Sequence, residues 1–494
     1  MKDFIEITLD GISKKVKPNT LISDILPKDT DHFFCGGKGI CKKCVVFAKG
    51  ELSPLTKAEE DAFDKSDLEM GKRLSCLTRI LGFAEIKTQK QGSDKICSQT
   101  IFPKYQKENQ FQNYGVAIDI GTTTLAMQIY GRDELLCELT AKNPQARFGA
   151  DVMTRIHAAI SGKAEEITLS IREGLSDLIS EGAKKANIPL DLIDKISIAG
   201  NTAMLYFLTG QNVECLSRAP FIADRLFGET VSFEKLSLPT KNAEVYLSPC
   251  ISSFVGGDIT MAILSSDIKE EIALLSDIGT NGEIVLKKGD ILTCCSTAAG
   301  PAFEGAGLSM GMNGKEGAID HVFIKDGKIS CHVIGDTEPI GICGSGVIDA
   351  IACLLEKELL DETGYLEDDE VILSGNVYLN GSDIRMIQLA KGAVRAGMET
   401  LMEVSNLSSS QIERLYIAGG FGSYINEENA KKIGLIIPCE NISFLGNAAL
   451  CGAAMILLSK DGRKKAEEIA KKAKTIELSD NPIFSEKYME AMIF

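Results

Sequence analysis

The tetrapeptide Asp-Ile-Gly-Thr occurs at Asp119–Thr122 and again 158 residues later at Asp277–Thr280. Each copy has an apolar run on both sides, within GVAIDIGTTTLAMQIY and LLSDIGTNGEIVL. In the first, Leu125, Met127 and Ile129 alternate with Ala126, Gln128 and Tyr130. A short apolar run, a tight turn and an alternating run predict a β-hairpin. Its tip can aim backbone N–H groups and hydroxyls at phosphate oxygens, while the aspartate holds Mg²⁺, usually through water. One such turn is weak evidence, because Asp-Ile-Gly turns occur in many strands. Two copies a domain's length apart predict two similar domains facing one another across a cleft, each offering one tip.

The chain has 494 residues, enough for two to four domains with ample core. A net charge of −16 argues against a general binder of nucleic acid or anionic membrane. The start, MKDFIEITLD, lacks the apolar core of a secretory signal. The longest nearly apolar run, Phe444–Leu458, is broken by Asn447 and is shorter than the roughly 20 residues that span a bilayer. These features predict a soluble cytoplasmic protein with no membrane partner. In that compartment the fifteen cysteines are expected as thiols or metal ligands rather than disulfides.

Near the N-terminus, Ile5–Leu9 and Ser13–Val16 read as strands joined at Asp10-Gly11, and Leu21–Leu26 as a helical turn. Then Cys35, Cys41 and Cys44 form a C-x5-C-x2-C pattern, with Cys76 following after 31 residues. Three closely spaced thiolates on a glycine-rich loop and a distant fourth suit a [2Fe–2S] cluster. Gly36, Gly37 and Gly39 would let the loop wrap it. Zinc is the competing reading, but zinc sites usually use two close cysteine pairs and only one is present. Thr56 and Glu59 carry a capping-box signal for a short helix. The arrangement over residues 1–88 resembles β-grasp [2Fe–2S] ferredoxins, the x5 spacing being like the adrenodoxin type. Residues 89–112 read as a polar linker, either a passive tether or a segment that pairs two subunits in a homodimer. Charge divides here: residues 1–112 carry net +3 and the remainder −19. Lys38, Lys42 and Lys43 therefore either favour an acidic partner or are a solvated loop.

From residue 113 onward, strands and helices alternate with glycine turns at strand ends, an α/β signature. A helical period runs through Glu165–Ile188, and Ile196–Thr202 reads as a strand entering a helix. Gly256-Gly257-Asp258 is a further turn bearing a carboxylate. Gly344, Ser345 and Gly346 open a helix whose N-terminus suits an anion. Asp383–Val404 is helical, Leu415–Ala418 is a strand running into Gly419-Gly420-Phe421, and Leu445–Leu458 ends in a small-residue helix able to pack closely.

This order of turns resembles the superfamily of actin, sugar kinases and heat-shock ATPases. The resemblance implies a duplicated, ribonuclease H-like, two-lobed ATPase with lobes at 113–270 and 271–494. It implies phosphate contacts from Gly121, Thr122, Thr123, Thr124, Gly279, Thr280 and Asn281, and Mg²⁺ on Asp119 and Asp277. It also implies an adenosine loop at Gly419–Gly422 and connecting elements at Ala199–Ala203 and Leu445–Ala454. Asp258 is the candidate for positioning the attacking water, with placement of its turn as the structural alternative.

The whole layout, with the blocks DIGTNGE, AAGPAFEGAGLSMGM, GICGSG and IAGGFG, resembles the reductive activators of corrinoid proteins of anaerobic bacteria. That family implies ATP-dependent transfer of one electron from the cluster to inactive Co(II), giving Co(I) in a corrinoid protein of a methyltransferase system. A low-potential donor would supply the electron. Two alternatives stand beside it: an activator of another low-potential metalloenzyme, and a redox-regulated ATP switch or small-molecule kinase. The C-terminal cysteine runs of [4Fe–4S] activators are missing, with Cys439 and Cys451 isolated. Cys294-Cys295 reads as core packing, and the four histidines fall outside every motif.

Overall fold

The computed structural model describes residues 4–26, 37, 39, 44–88, 100–132, 134–420 and 425–494. Two compact units are present, one of Met1–Gly92 with Pro144–Lys163 and one of Ser93–Asn143 with Ala164–Phe494.

In the smaller unit, β1 (Ile5–Leu9) and β2 (Ile12–Val16) form the expected hairpin. Asp10 and Gly11 at its turn have φ of 50° and 82°, the left-handed pair that matches a two-residue turn to strand twist. With β3 (Thr20–Leu21), β4 (Val45–Leu52), β5 (Lys72–Leu74) and β6 (Arg79–Thr88), the sheet order is β2-β1-β6-β4-β5, and β3 also pairs with β6. The last strand lies centrally, parallel to β1 and antiparallel to β4, which is β-grasp topology. Along β6, Ile80, Ala84 and Ile86 turn into a core with Ile7, Leu9, Val46 and Ala48, while Arg79, Leu81, Phe83 and Glu85 face outward. That is the period of two of a half-buried strand. The helix α1 (Lys57–Glu60) starts on the expected capping box of Thr56 and Glu59. The helix α2 (Lys65–Met70) is capped by Asp64 and α3 (Val152–Ala158) by Asp151.

The larger unit contains the same sheet twice. In its first half β7 (Tyr114–Ile120), β8 (Thr124–Tyr130) and β9 (Leu135–Lys142) form an antiparallel meander. After α4 (Ala164–Lys185), β10 (Ile193–Gly200) lies parallel to β7. Following α5 (Thr202–Thr209) come β11 (Glu229–Ser232), β12 (Glu244–Leu247) and α6 (Gly257–Ser266). The second half repeats the meander as β13 (Ile272–Ile278), β14 (Gly282–Lys288) and β15 (Ile291–Thr297). A three-stranded sheet then departs from the repeat: β16 (Ala318–Lys325), β17 (Lys328–Val333) and β18 (Gly341–Ile342). Next are α7 (Gly344–Glu356), a ribbon of β19 (Glu370–Ser374) and β20 (Val377–Asn380), and α8 (Gly381–Val404). The chain returns to the main sheet with β21 (Arg414–Ala418), α9 (Glu427–Lys432) and β22 (Ile442–Gly446). It closes with α10 (Ala448–Leu458), α11 (Gly462–Lys472), β23 (Lys474–Thr475) and α12 (Pro482–Glu490). The sheet orders are β11-β12-β10-β7-β8-β9 and β22-β21-β13-β14-β15-β23. In both, two parallel strands lie on one side of the first strand of a meander, so the duplication read from the sequence is a duplication of fold. Among the described residues no helix is long and apolar enough to cross a membrane.

Packing explains residue size along β8. Leu125, Met127 and Ile129 on one face and Ala126, Gln128 and Tyr130 on the other are all buried, because both faces are covered. A Cβ at Gly182 of α4 would collide with Met127, so that helix lies directly on the large residues. On the other face Ala117 and Ala126 meet Ala449 and Ala453 of α10. The same helix touches α6 at the backbone, since a Cβ at Gly452 would collide with the Met261 carbonyl.

The polar stretch expected as a tether is different from Thr100 onward. Thr100 bridges Gly446, and Lys107 bridges Ser459. Glu108 and Gln110 donate their N–H groups to the carbonyls of Leu458 and Leu457, at 2.8 and 2.7 Å. These are last-turn carbonyls of α10, which have no partner inside the helix. Phe102, Tyr105 and the buried Phe111 join the apolar cluster of β7, β8 and α10. For these residues the passive-tether reading is corrected: three aromatic side chains in a polar stretch bind it along the helix.

Candidate functional site

Asp119 and Asp277 are each the penultimate residue of a central strand, β7 and β13. Each is paired in register with an alanine of the parallel neighbour, Ala199 and Ala418, followed there by a glycine. Gly419 has φ of 97°, and a Cβ there would lie 2.7 Å from Asp277 Oδ1. Only glycine both adopts that backbone and leaves the carboxylate room. The tips face one another: Thr123 Oγ1 and Thr280 Oγ1 are 3.4 Å apart.

Between them lies a cleft of about 500 Å³. Asp119, Gly121, Thr122, Thr123, Thr124, Asp258, Asp277, Gly279, Thr280, Asn281, Gly344, Ser345, Gly419 and Gly420 all line it. Gly346 does not; a Cβ there would collide with the Ile319 carbonyl, so this glycine lets α7 lie against β16. Phe421 lies outside the described residues. Ser345 Oγ donates to the Asp320 carbonyl at 2.9 Å.

Burial raises the carboxyls of Asp119 and Asp277 to about 7, and mutual repulsion with Asp258 adds to both. Asp258, in the first turn of α6, is raised to about 6 by burial, although its Oδ1 accepts the Ile259 N–H at 2.8 Å. Glu283 stands opposite Asp277 in the β13–β14 register and is held well above its ordinary range by burial, then by Asp258 and Asp277. The equivalent position opposite Asp119 is Ala126. Asn447 partly offsets one of these charges: its Nδ2 donates to Asp119 Oδ2 at 3.0 Å while its Oδ1 caps α10. No lysine or arginine appears among the described residues lining the cleft. Anionic groups so arranged attract a cation and resist a bare anion. Among the described residues no group of three or more His, Cys, Asp or Glu side chains is arranged to hold a metal ion directly.

Several lining residues were not singled out by sequence reasoning. Glu283 was visible only as a carboxylate inside a buried strand, and Glu304 as one acid in a run of glycines and alanines. Glu304 Oε2 accepts from Thr123 Oγ1 at 2.8 Å and its Oε1 from Thr280 Oγ1 at 3.0 Å. Two histidines expected outside every motif also line the cleft. His321 and His332 are cross-strand partners on β16 and β17. Their Nδ1 atoms meet Asp349 at 3.0 Å and Asp320 at 2.5 Å, and the latter bond raises the His332 pKa. Their motif is spatial, formed by strand pairing across eleven positions of chain.

In the smaller unit Cys35 and Cys41 lie outside the described residues. Cys44 and Cys76 are buried with their sulfur atoms 3.1 Å apart. Leu74, Val45, Ala62, Phe63 and Leu77 pack around them. Gly37 and Gly39 have φ of 79° and 72°, and a Cβ at Gly39 would lie 2.5 Å from Leu77 Cδ1. Glu59 pins the strand and turn that lead to Cys76. It accepts from Arg73 Nε at 2.8 Å, the Leu74 N–H at 3.1 Å and Thr78 Oγ1 at 2.9 Å. These residues fit a sulfur-ligated cluster: two buried thiols converge in an apolar shell beside Gly39, where a side chain would collide with Leu77.

The chain is 30% identical to the corrinoid activation enzyme RamQ of Eubacterium limosum over 97% of both chains. It belongs to the family of corrinoid reductive activators. A second relative is the reductase for the Co(II) methylated amine-specific corrinoid protein of Methanosarcina barkeri, 28% identical over 73% of this chain and 72% of that one. A solved reductive activator for a corrinoid, iron–sulfur protein superposes with a TM-score of 0.72 at 25% identity, covering 99% and 98% of the two chains. Family models match this activator at residues 114–271, the RACo middle region, and 271–494, the C-terminal ASKHA domain of RACo. One Asp-Ile-Gly-Thr tip falls in each matched region of the activator, and the ASKHA domain implies nucleotide binding.

Proposed function

We propose that this activator restores corrinoid proteins to their working state by an ATP-dependent one-electron reduction. The single observation that carries the mechanism is the convergence of both tips on one cleft whose carboxylates are left unneutralised. Asp119 and Asp277 would hold Mg²⁺ through water, and the hydroxyls of Thr122, Thr123, Thr124 and Thr280 would receive phosphoryl oxygens. Asp258 would orient the attacking water, and Gly344, Ser345, Gly419, Gly420 and Phe421 would border the nucleoside. Cys35, Cys41, Cys44 and Cys76 would ligate a [2Fe–2S] cluster, which supplies the electron that takes Co(II) to Co(I). A low-potential donor in the cytoplasm would replace that electron.

Burial of Cys44 and Cys76 among apolar side chains excludes water from the thiolates. The lobes meet where α10 touches α6, close to Asn447 and Asp119. Closure on a nucleotide there is a two-state change able to bias a docked partner.

The test mixes the dithionite-reduced protein with an isolated Co(II) corrinoid protein under anaerobic conditions. Formation of the Co(I) absorption band is followed with and without Mg-ATP. The expected result is a band that needs both reduced protein and Mg-ATP; equal rates without nucleotide would sink the reading. In parallel, Cys76→Ser should abolish the [2Fe–2S] visible spectrum while leaving Mg-ATP binding intact.

A further inference from the structure

Glu304 closes the short helical turn Ala302–Glu304, within the glycine-rich segment after β15. Its two oxygens each hold a hydroxyl from a different half of the larger unit, Thr123 of the first tip and Thr280 of the second. The hydroxyls are 3.4 Å apart, so one carboxylate spans the gap between the lobes. Its Oε1 also lies 3.6 Å from where a Gly279 Cβ would be, against the second tip. A carboxylate with two oxygens on two donors occupies the place that the two oxygens of a phosphoryl group need. It also adds to the repulsion that raises Asp277.

A phosphate entering this cradle meets a negative charge that already uses both hydroxyl donors. Each hydroxyl has one proton to donate, so Glu304 and a terminal phosphate cannot hold the same pair. No described lysine or arginine lines the cleft to neutralise the second anion. The carboxylate must leave for the phosphate to bind.

We propose that Glu304 sets nucleotide discrimination in the cleft. Its carboxylate stands in for the terminal phosphate, and only a phosphate chain long enough to reach both Thr123 and Thr280 expels it. A diphosphate engages the nearer donors and leaves the bridge in place. The residue therefore opposes ATP more than ADP, and its release reports that a triphosphate has arrived. Gly305, the next residue, packs directly against the Met312 backbone, and Met312 lines the cleft, so release of Glu304 is felt at a second wall of the site. The inference rests on the nucleotide reading of the cleft.

Full-length wild type, Glu304→Ala, Glu304→Gln and Thr280→Val are titrated with Mg-ATP and with Mg-ADP by calorimetry. Glu304→Ala should tighten Mg-ATP about tenfold, the worth of one charge-assisted hydrogen bond. Mg-ADP should change by less than about twofold under the same rule. Glu304→Gln, similar in size and uncharged, should move the same way by less and covers the case in which the alanine variant misfolds. Weaker Mg-ATP binding in both Glu304 variants would make the carboxylate a contributor to binding and overturn the proposal. Equal shifts for the two nucleotides would overturn it as well. The nucleotide reading has its own control. If Thr280→Val binds Mg-ATP as tightly as wild type, the nucleotide lies elsewhere and both ideas fall. If Thr280→Val binds weakly and the Glu304 variants discriminate no differently from wild type, only the role of Glu304 falls.

Discussion

Glu59 in the smaller unit and Asp277 in the larger one are carboxylates withdrawn from bulk water with opposite fates. Burial alone would raise both. Around Glu59 that push is outweighed by hydrogen bonds from Arg73, Thr56 and Leu74, and its carboxyl falls to about 2. Around Asp277 burial is reinforced by Asp258, Asp119 and Glu304, and the carboxyl rises to about 7. A buried charge saturated by its own protein is structural: Glu59 ties together Arg73, Leu74 and Thr78 just before and after Cys76. Buried charges gathered without a cation lower the stability of the empty site and reward whatever neutralises them. Burial is therefore a poor guide to function, and the partner count around the carboxylate is a better one.

The largest effect should come from breaking the saturated side. Glu59→Ala leaves the Arg73 guanidinium buried without its partner and should cost about 3–5 kcal/mol of the smaller unit's stability. Urea unfolding of the full chain, followed by circular dichroism, measures it; a loss under 1 kcal/mol would refute the structural assignment.

On the unsaturated side the sign should reverse. Asp277→Asn removes repulsion, so the nucleotide-free protein should melt at a higher temperature. Its Mg-ATP affinity should fall about a hundredfold, the scale of a lost contact to a charged group. Calorimetry and thermal melts on one preparation read both, and a variant that loses stability and affinity together would erase the contrast.

pH separates the two regions without mutation. Glu59 has a depressed pKa, so its contribution is present above about 4.5 and is lost as pH falls through about 2. Asp119 and Asp277 have raised pKa values, so their contribution is present below 3.8 and is lost as pH rises through about 7. Between pH 6 and 8 the nucleotide-free larger unit should lose stability, and saturating Mg-ATP should flatten that slope. Melting curves across this range check it, with an unchanged midpoint counting against the unneutralised cluster.

The smallest expected effect tunes the cleft by one group. Asn447→Asp keeps the α10 cap but replaces the donor to Asp119 with another anion. About 1 kcal/mol of stability should be lost at pH 8, the worth of one hydrogen bond, and recovered on adding Mg²⁺. Loss of the same size with and without Mg²⁺ would place the effect in the cap instead.

Local chemistry made much of this legible in the chain. Asp10-Gly11 demands a left-handed turn, Thr56 and Glu59 satisfy one another across a helix start, and the two Asp-Ile-Gly-Thr tips repeat within strand-forming runs. Such features depend on residues a few positions apart, and the sequence displays them directly. The spacing of Cys35, Cys41, Cys44 and Cys76 on a glycine-rich loop suggested sulfur ligation, and family resemblance extended the reading to the nucleotide loops. The aromatic residues Phe102, Tyr105 and Phe111 were present in the polar stretch, but their partner is the last turn of α10, about 350 positions away. Gly346 has the same neighbours in sequence as Gly344 and Ser345 yet faces β16 rather than the cleft.

By itself, then, the sequence determined where strands turn, which helices are capped, and that one hairpin was used twice. Tertiary structure alone decided which carboxylates share a volume, that His321 and His332 reach it, and that Glu304 bridges Thr123 and Thr280 across the lobes. The reason is physical. Turn and cap energies are summed over neighbours in the chain, whereas desolvation and charge repulsion are summed over neighbours in space. Only folding brings Asp119, Asp258, Asp277, Glu283 and Glu304 close enough to oppose one another.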